Sequence, residues 1–323
     1  MLTVVLGLAG ALVYGAADFL GGLAARRISA LRVTAIGALS GVVLLFIAAV
    51  VVGGRWSVEA LFWGGLSGVT GAAAIALLYA CLAIGPMSIL SPLTAVTSAI
   101  VPLTWGLATG SQLGIIAYPA FALALVAVVL VGLVPDQRAV RPTMPGLLMA
   151  TGSGILIGAF YILIDQTPDD SGLIPLVANR TVNASIMITL IIVLAVVAGR
   201  RHIRAQDAPL AVIAGTHAAP HALEQVEAPA RLSLLRASAA ALRGGWRGGL
   251  LLAIGCGVLD AIANIIVLAG LRLGDLTVVS VLTALYPAGT ILLAAVVLRE
   301  RIAPLQWVGL ALALAASAML AAA

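Results

Sequence analysis

Ten long apolar runs separated by short links dominate the chain. They cover about residues 2–25, 31–53, 59–83, 88–108, 114–134, 145–165, 173–199, 248–271, 275–298 and 303–322. A bilayer span takes about 20 mostly apolar residues, which is the length of each run. Of the 323 residues, 63% are hydrophobic and only 9% are charged, too apolar a composition for one soluble core. The runs predict an all-α polytopic membrane protein with ten transmembrane helices and exclude a soluble enzyme.

The basic residues, all of them arginine, predict the orientation of the chain in the membrane. All but three lie in or beside the links that follow odd-numbered runs. The exceptions are Arg55, Arg180 and Arg272. Because basic residues favour the cytoplasmic side, these links are predicted to be cytoplasmic and both termini to lie outside. We expect a multi-pass protein of a bacterial-type plasma membrane.

A charged segment at about residues 200–247 interrupts the pattern and is predicted to be a loop outside the membrane. One interpretation is a disordered polar linker. The other is a helix beginning near Arg231 that lies on the membrane surface, with its arginines toward lipid phosphates. His217 and His221 have a metal-ligand spacing, but Pro220 between them disturbs a helix. We therefore expect no metal site and no cofactor.

The two halves of the chain resemble each other. A shift of 189 residues aligns residues 80–105 with residues 269–294 without a gap and gives nine identities. The same shift pairs Gly68 with Gly257, and a shift of 143 pairs Gly15 with Gly158. Self-similarity of this kind indicates an internal repeat.

The repeat predicts two domains and a symmetry. The first five-helix repeat is expected at residues 1–135, and the second at residues 142–323, interrupted by the charged loop at about 200–247. Since five spans return the chain to the opposite side, the second repeat is predicted to be inverted. Inverted repeats are typical of secondary transporters that bind substrate near the midplane and work by alternating access.

Several motifs resemble the ten-helix EamA-type branch of the drug/metabolite transporter superfamily. They are Tyr14-Gly15-Ala16-Ala17-Asp18-Phe19, Arg32, Arg180, Tyr286-Pro287, Thr290, Glu300-Arg301 and Gln306-Trp307-Val308-Gly309. The first copy departs from the pattern, with Ser111-Gln112 where the second copy has Glu300-Arg301. The resemblance implies transport, often export, of a small metabolite or drug-like molecule.

Two polar residues near the middle of the eighth run, Asp260 and Asn264, are the first candidates for a site. An Asp at the bilayer centre costs roughly 2.5–3.5 kcal/mol on insertion scales, so it is kept where it faces a cavity or a partner. Asn264 follows one turn later on the same face. We predict that Asp260 binds a cationic part of the substrate or carries a coupling proton. The alternative is a polar clamp to a neighbouring helix.

The other candidates lie in the first and seventh runs and among the aromatic residues. Asp18, with Tyr14 one turn earlier, is predicted either to line the cavity or to pair with an arginine such as Arg26. Arg180, beside Asn183, is predicted either to neutralise a substrate carboxylate or to reach the membrane interface. Aromatic residues that either line the cavity or pack are Tyr79, Trp105, Tyr161 and Tyr286.

Prolines inside the runs supply candidate hinges. Pro92, Pro102 and Pro287 each remove a backbone hydrogen bond and are predicted to kink their helices. We expect these helices to bend during gating. Glycine-rich faces, such as those at Gly68 and Gly257, are predicted to be sites of close helix packing.

The chain has no lysine and no phosphate-binding loop, so it does not hydrolyse ATP by that route. We expect a secondary carrier and not an enzyme. Two alternatives stay open, a channel and an intramembrane lipid-handling enzyme that would use the acidic residues Asp165, Asp169 and Asp170. The expected partners are a small-molecule substrate, the lipid bilayer and a coupling proton, with a homodimer left open and no nucleic acid.

Overall fold

The computed structural model describes residues 1–25, 27–28, 30–84, 87–111, 114–132, 143–206, 228–297 and 303–322. Within these ranges the regular structure is helical and includes no strand. The helices are α1 (Leu2–Ala25), α2 (Ala30–Val52), α3 (Val58–Ile84), α4 (Met87–Ala108), α5 (Ala117–Gly132), α6 (Met144–Asp165), α7 (Ile174–Gln206), α8 (Ala228–Leu273), α9 (Leu276–Thr283), α10 (Tyr286–Val297) and α11 (Pro304–Ala322). A 3-10 turn at Asp169–Ser171 connects α6 to α7.

Eight helical segments within the described ranges are long and apolar enough to cross a bilayer, and α9 with α10 counts as one of them. Two shorter apolar helices, Pro92–Ala108 and Ala117–Val131, accompany them. The prediction of an all-helical polytopic membrane protein is confirmed, and the chain is an integral, multi-pass protein. The number of ten spans stays a prediction.

The outward faces of the helices are apolar, as contact with lipid requires. On α2, Leu39, Val43, Phe46 and Val50 follow one another at three- or four-residue spacing, and all four are exposed. Leu45, on another face of the same helix, is buried. In water a continuous apolar stripe of this kind would promote association. In a bilayer, acyl chains cover it.

The segment at about 200–247 is helical at both ends, and the interpretation of a helix beginning near Arg231 agrees with the start of α8. Helix α7 continues to Gln206 and α8 begins at Ala228, so only residues 207–227 are left between them. Alanine, leucine and arginine, which are frequent in the flanking sequence, are strong helix formers, and a helix that leaves the bilayer does not have to end there. His217 and His221 lie outside the described residues.

The prolines act differently in the two copies of the repeat. Pro92 and Pro102 lie within the continuous helix α4. The ninth run, by contrast, is broken into α9 and α10, and Pro287 is the second residue of α10. Proline is tolerated in the first turn of a helix because its missing N–H would have no partner there. Near the predicted kink at Pro287 the helix is interrupted for two residues, Ala284 and Leu285.

Helices from the two halves of the chain are packed against each other. Helix α1 lies against α8 and α10, α6 lies against α3 and α4, and α5 lies against α11. Glycines permit the closest approaches. A Cβ atom added at Gly15 would lie 2.6 Å from the backbone N of Thr290 and 2.6 Å from the carbonyl oxygen of Tyr286. The predicted packing role of Gly68 and Gly257 is confirmed, because a Cβ at either would overlap the backbone of the adjacent helix.

Polar contacts close one end of the bundle. Arg55 donates its backbone N–H to Asp170 O at 2.9 Å, and its side chain pairs with the Asp170 carboxylate at 3.4 Å. Arg272, near the end of α8, donates to Ser171 Oγ at 3.0 Å and to Pro168 O at 3.5 Å. We call Arg55, Pro168, Asp170, Ser171 and Arg272 the clasp. It joins the α2–α3 link, the α6–α7 link and α8.

The two arginines of the clasp are expected to contribute unequally to stability. The Arg55 and Asp170 side chains are 78% and 56% exposed, and exposed pairs contribute about 0–1 kcal/mol. Asp170→Asn should therefore change the thermal midpoint little. Arg272→Gln, which removes partly buried hydrogen bonds from a charged donor, should cost about 1.5–3 kcal/mol. Thermal unfolding of both variants in detergent checks this; a larger effect of Asp170→Asn would contradict it.

Candidate functional site

An ion pair between two helices lies in the middle of the bundle. Asp260 is midway along the Arg247–Leu273 span, and its Oδ2 pairs with Arg180 Nη2 of α7. The side chains are only 11% and 28% exposed for Arg180 and Asp260. Neither of the two roles predicted for Arg180 includes this partner. The signal was nonetheless present, because opposite charges inside apolar runs tend to pair with each other.

The predicted shared face of Asp260 and Asn264 agrees with the structure. Asn264 Nδ2 donates to the backbone oxygen of Asp260 at 2.7 Å and to its Oδ2 at 3.3 Å. Asn264 is buried, so these bonds hold the carboxylate in place from one side while Arg180 holds it from the other. Arg180 Nε has no hydrogen-bond partner among the described residues.

Glycines give the arginine room. A Cβ atom at Gly41 of α2 would lie 3.6 Å from Arg180 Cγ and Cδ and 3.4 Å from the carbonyl oxygen of Gly257. The aliphatic part of Arg180 thus lies where α2 and α8 cross closely. Asn183, one turn further along α7, is buried, and its Oδ1 has no partner within the described part of the chain. Asn179 serves packing instead, since it donates to Ser67 Oγ of α3 at 2.8 Å.

One face of α1 changes from buried to exposed along its length. Residues three or four apart share a helix face. On this face the buried residues are Val4, Gly7 and Ala11, Tyr14 is half-buried, and the exposed residues are Asp18, Gly22 and Ala25. The exposed apolar residues Leu2, Val5 and Leu12 lie on another face of α1. Toward the C-terminal end of α1 this face is therefore not covered by other helices, which leaves a space beside it. We call this space the vestibule.

Asp18 lies at the inner end of the vestibule and level with Asp260. Gly10 of α1 packs against Val267 of α8, and Gly21 packs against Cys256. The two contacts are eleven residues apart along each helix. This antiparallel register places Asp18 level with Leu259, the neighbour of Asp260. Asp18 makes no hydrogen bond or ion pair with any described residue, and Arg26, its predicted alternative partner, lies outside the described residues.

Tyrosines from three helices complete the site. The phenol groups of Tyr14 on α1, Tyr161 on α6 and Tyr286 on α10 all lie within electrostatic range of the Asp18 carboxylate. The central cluster consists of Tyr14, Asp18, Tyr161, Arg180, Asp260, Asn264 and Tyr286. With two carboxylates and one guanidinium, it has one negative charge that no described side chain compensates.

Other predicted residues lie elsewhere. The side chain of Tyr79 and the Glu300-Arg301 pair fall outside the described residues. Trp105 is exposed near the end of α4, with the outward-facing residues. Two residues of the EamA-like motifs serve packing: Thr290 Oγ1 donates to Gly15 O at 3.1 Å, and Gln306 Nε2 donates to Val131 O at 3.3 Å. These motif residues therefore connect helices outside the site.

The acidic residues that the enzyme alternative would need are near the clasp. Asp170 pairs with Arg55, and Asp169 is exposed in the same 3-10 turn. Asp165 is the last residue of α6. They lie at the end of the bundle, away from the central cluster.

The fold and the cluster together define a polytopic helical membrane protein with a charged centre. Residues 232–322 match the model of the EamA-like transporter family, which confirms the resemblance for the motifs that lie in this range. The match covers less than a third of the chain. It suggests a membrane transporter of small molecules.

The fold is shared with a protein of known structure. A chain described as "Crystal structure of protein" superposes with a TM-score of 0.67, covering 99% of this chain and 98% of its own length. The two sequences are 14% identical, so the likeness concerns the fold alone. No curated protein matches the sequence.

Proposed function

We propose that the protein is a secondary active transporter that exports a small metabolite or drug-like molecule by alternating access, with the central cluster as its binding site. The observation that carries the proposal is Asp18, a carboxylate with no ion-pair partner among the described residues, on the exposed C-terminal part of one face of α1. A buried or enclosed charge inside a membrane protein is costly and marks a substrate or ion pathway.

The two ends of the bundle differ, which supports alternating access. The vestibule opens toward the C-terminal end of α1. Near the start of α1, Thr3 Oγ1 donates to Leu273 O at the end of α8, at 3.4 Å. Leu273 is the neighbour of Arg272, so the clasp lies at the N-terminal end of α1, opposite the vestibule. Access from one side with closure on the other is one of the two states that a carrier alternates between.

The helix contacts support two inverted repeats at residues 1–135 and 142–323. In the proposed repeat α1 corresponds to α6, α2 to α7 and α3 to α8. The α1–α8 contact then corresponds to the α6–α3 contact, and the α3–α7 contact corresponds to the α8–α2 contact. All four contacts are present. Gly15 is packed on α10, and its repeat partner Gly158 is packed on α4. A pseudo-two-fold axis in the membrane plane accounts for these pairings, and rocking of one repeat against the other would move the opening from one side to the other.

The orientation of the open end in the membrane is proposed from the arginines. The open end of the vestibule is the end at which α1 is followed by Arg26 and Arg27. By the positive-inside rule this end is cytoplasmic, both termini are outside, and the conformation described is inward-facing. A substrate would enter from the cytoplasm and leave when the clasp opens, and a coupling proton would bind a carboxylate of the cluster. Pro92 and Pro102 of α4 and Pro287 of α10 are the proposed hinges.

Counterflow in proteoliposomes tests the proposal. The purified protein is loaded with amino acids, amines, nucleosides or vitamins, and uptake of the labelled compound is followed with and without a pH gradient. We expect saturable counterflow of one class of compound, chemically unchanged, and a dependence on the pH gradient. Flux that does not saturate would indicate a channel, and a chemically altered compound would indicate an enzyme.

A further inference from the structure

We infer that the ligand of the central cluster is an organic monocation, an ammonium compound whose positive charge pairs with Asp18. This inference rests on the proposed function and names the substrate class. Its basis is the charge of the cluster together with the different environments of its two carboxylates.

The first step is that Asp260 already has its counter-charge. Its carboxylate pairs with Arg180 and accepts a hydrogen bond from Asn264 at 3.3 Å. Asp18 has no such partner among the described residues. A single positive charge on the ligand would make the cluster neutral, whereas a zwitterion would leave one negative charge and an anion would add a second. Since uncompensated charge in a low-dielectric site is costly, the monocation fits best.

The second step is accessibility. Asp18 is exposed to the vestibule, while Asp260 is partly enclosed between α7 and α8. A ligand that enters along the exposed face of α1 passes Ala25 and Gly22, which have small side chains, and then reaches Asp18. A Cβ atom at Gly22 would have no heavy atom within 4 Å, so this part of the vestibule is open.

The third step concerns the surroundings of Asp18. Tyr14 and Tyr286 are half-buried, so part of each side chain is accessible, and Tyr14 lies one turn before Asp18 on the same face of α1. Phenol rings attract ammonium groups through their faces and also pack against the apolar part of a ligand. An amine with an apolar substituent thus finds a negative charge and aromatic surface within one site.

Equilibrium binding to the purified full-length protein tests the inference with probes that have the same apolar part and different charged groups. One series is phenethylamine, phenylalanine and 3-phenylpropionate, and a smaller one is butylamine, norvaline and pentanoate. Within each series the positively charged amine, the zwitterion and the anion are built on the same phenylethyl or butyl group, to which an ammonium group, a carboxylate or both are attached. We expect at least one amine to bind, and its zwitterionic and anionic relatives to bind at least tenfold more weakly.

Variants locate the binding charge. Asp18→Asn should weaken binding of the amine at least tenfold, while Asp18→Glu, which keeps the charge, should retain it. Glu59→Gln is the matched control, because Glu59 is exposed in the first turn of α3 and the substitution removes the same charge. A thermal midpoint measured for each variant separates loss of binding from loss of folding.

Three results would overturn the inference: neither amine binds, a zwitterion binds as tightly as its amine, or Asp18→Asn binds as the unchanged protein does. Counterflow distinguishes failure of this inference from failure of the proposed function. Saturable counterflow of a neutral or anionic compound would support the proposed transporter and contradict the inference that its ligand is a monocation. Binding of an amine at Asp18 without any counterflow would support the ligand class and overturn the transporter.

Discussion

Asp260→Asn is expected to destabilise the protein by about 3–5 kcal/mol and to abolish transport, because it leaves the enclosed Arg180 guanidinium without an opposite charge. Arg180 has no other ion-pair partner in the described part of the chain, and its Nε has no hydrogen-bond partner there. The substituted amide can accept one hydrogen bond but cannot offset the charge. The midpoint of unfolding in detergent, followed by tryptophan fluorescence, measures the loss.

A double variant separates the ion pair from the packing around it. Arg180→Gln combined with Asp260→Asn leaves no isolated charge at this position and should recover most of the lost stability, while transport stays absent. Asp275→Asn is the control for the chemical change. Asp275 caps α9 by accepting from Thr277 N at 2.7 Å, and Asn caps a helix about as well. This account would be contradicted if the single Asp260→Asn variant were as stable as the unchanged protein. It would also be contradicted if the double variant were no more stable than the single one.

The positions of the spans were predictable because bilayer thickness sets the length of an apolar run. Helix α1 covers Leu2–Ala25, and the first run was placed at residues 2–25. Helix α11 covers Pro304–Ala322, against a prediction of 303–322. At the end of α1 the apolar stretch and the helix have the same limit, because Arg26 and Arg27 follow directly in the sequence.

Where the membrane no longer determines the limits, hydropathy does not locate the ends of helices, and only the interpretation of a helix beginning near Arg231 came close to the start of α8. Helix α8 begins at Ala228, twenty residues before the predicted start at residue 248, because helix propensity and not hydropathy governs the chain outside the bilayer. The ninth run is uniformly apolar, and its break at Ala284 and Leu285 leaves no trace in hydropathy. Pro287, two residues further on, was the only local signal.

The candidate site was predicted as a set of residues and not as an arrangement. Tyr14, Asp18, Arg180, Asp260, Asn264 and Tyr286 were all singled out by polarity within apolar runs, and all belong to the central cluster. The Arg180–Asp260 pair was missed because it depends on the depth and rotation of α7 relative to α8, which a single sequence does not contain. That pair changes the order of the candidates. With Asp260 neutralised, Asp18 becomes the carboxylate available to a ligand.

Gly257→Ala is expected to cost about 3 kcal/mol and to disrupt the site from a distance, because α2 and α8 touch at this residue. A Cβ atom there would overlap the carbonyl oxygen of Gly37 and the hydroxyl of Ser40. Overpacking of this kind typically costs about 1–3 kcal/mol when flexible side chains can adjust. Here a backbone carbonyl must move, so the helices separate.

The same substitution at other glycines gives the control and a test of the repeat. Gly22→Ala should leave the unfolding midpoint unchanged or raise it, because a Cβ atom there has nothing within 4 Å and alanine favours a helix over glycine by about 0.5–1 kcal/mol. Gly68→Ala, at the repeat partner of Gly257, would overlap the carbonyl oxygen of Asn179 and should be as damaging. Unfolding midpoints in detergent test these expectations. Equal midpoints for Gly257→Ala and Gly22→Ala would contradict them. A Cβ atom built at Gly41 would lie 3.4 Å from the Gly257 carbonyl oxygen and 3.6 Å from Arg180 Cγ and Cδ. Separation of α2 from α8 should therefore also weaken the Arg180–Asp260 pair.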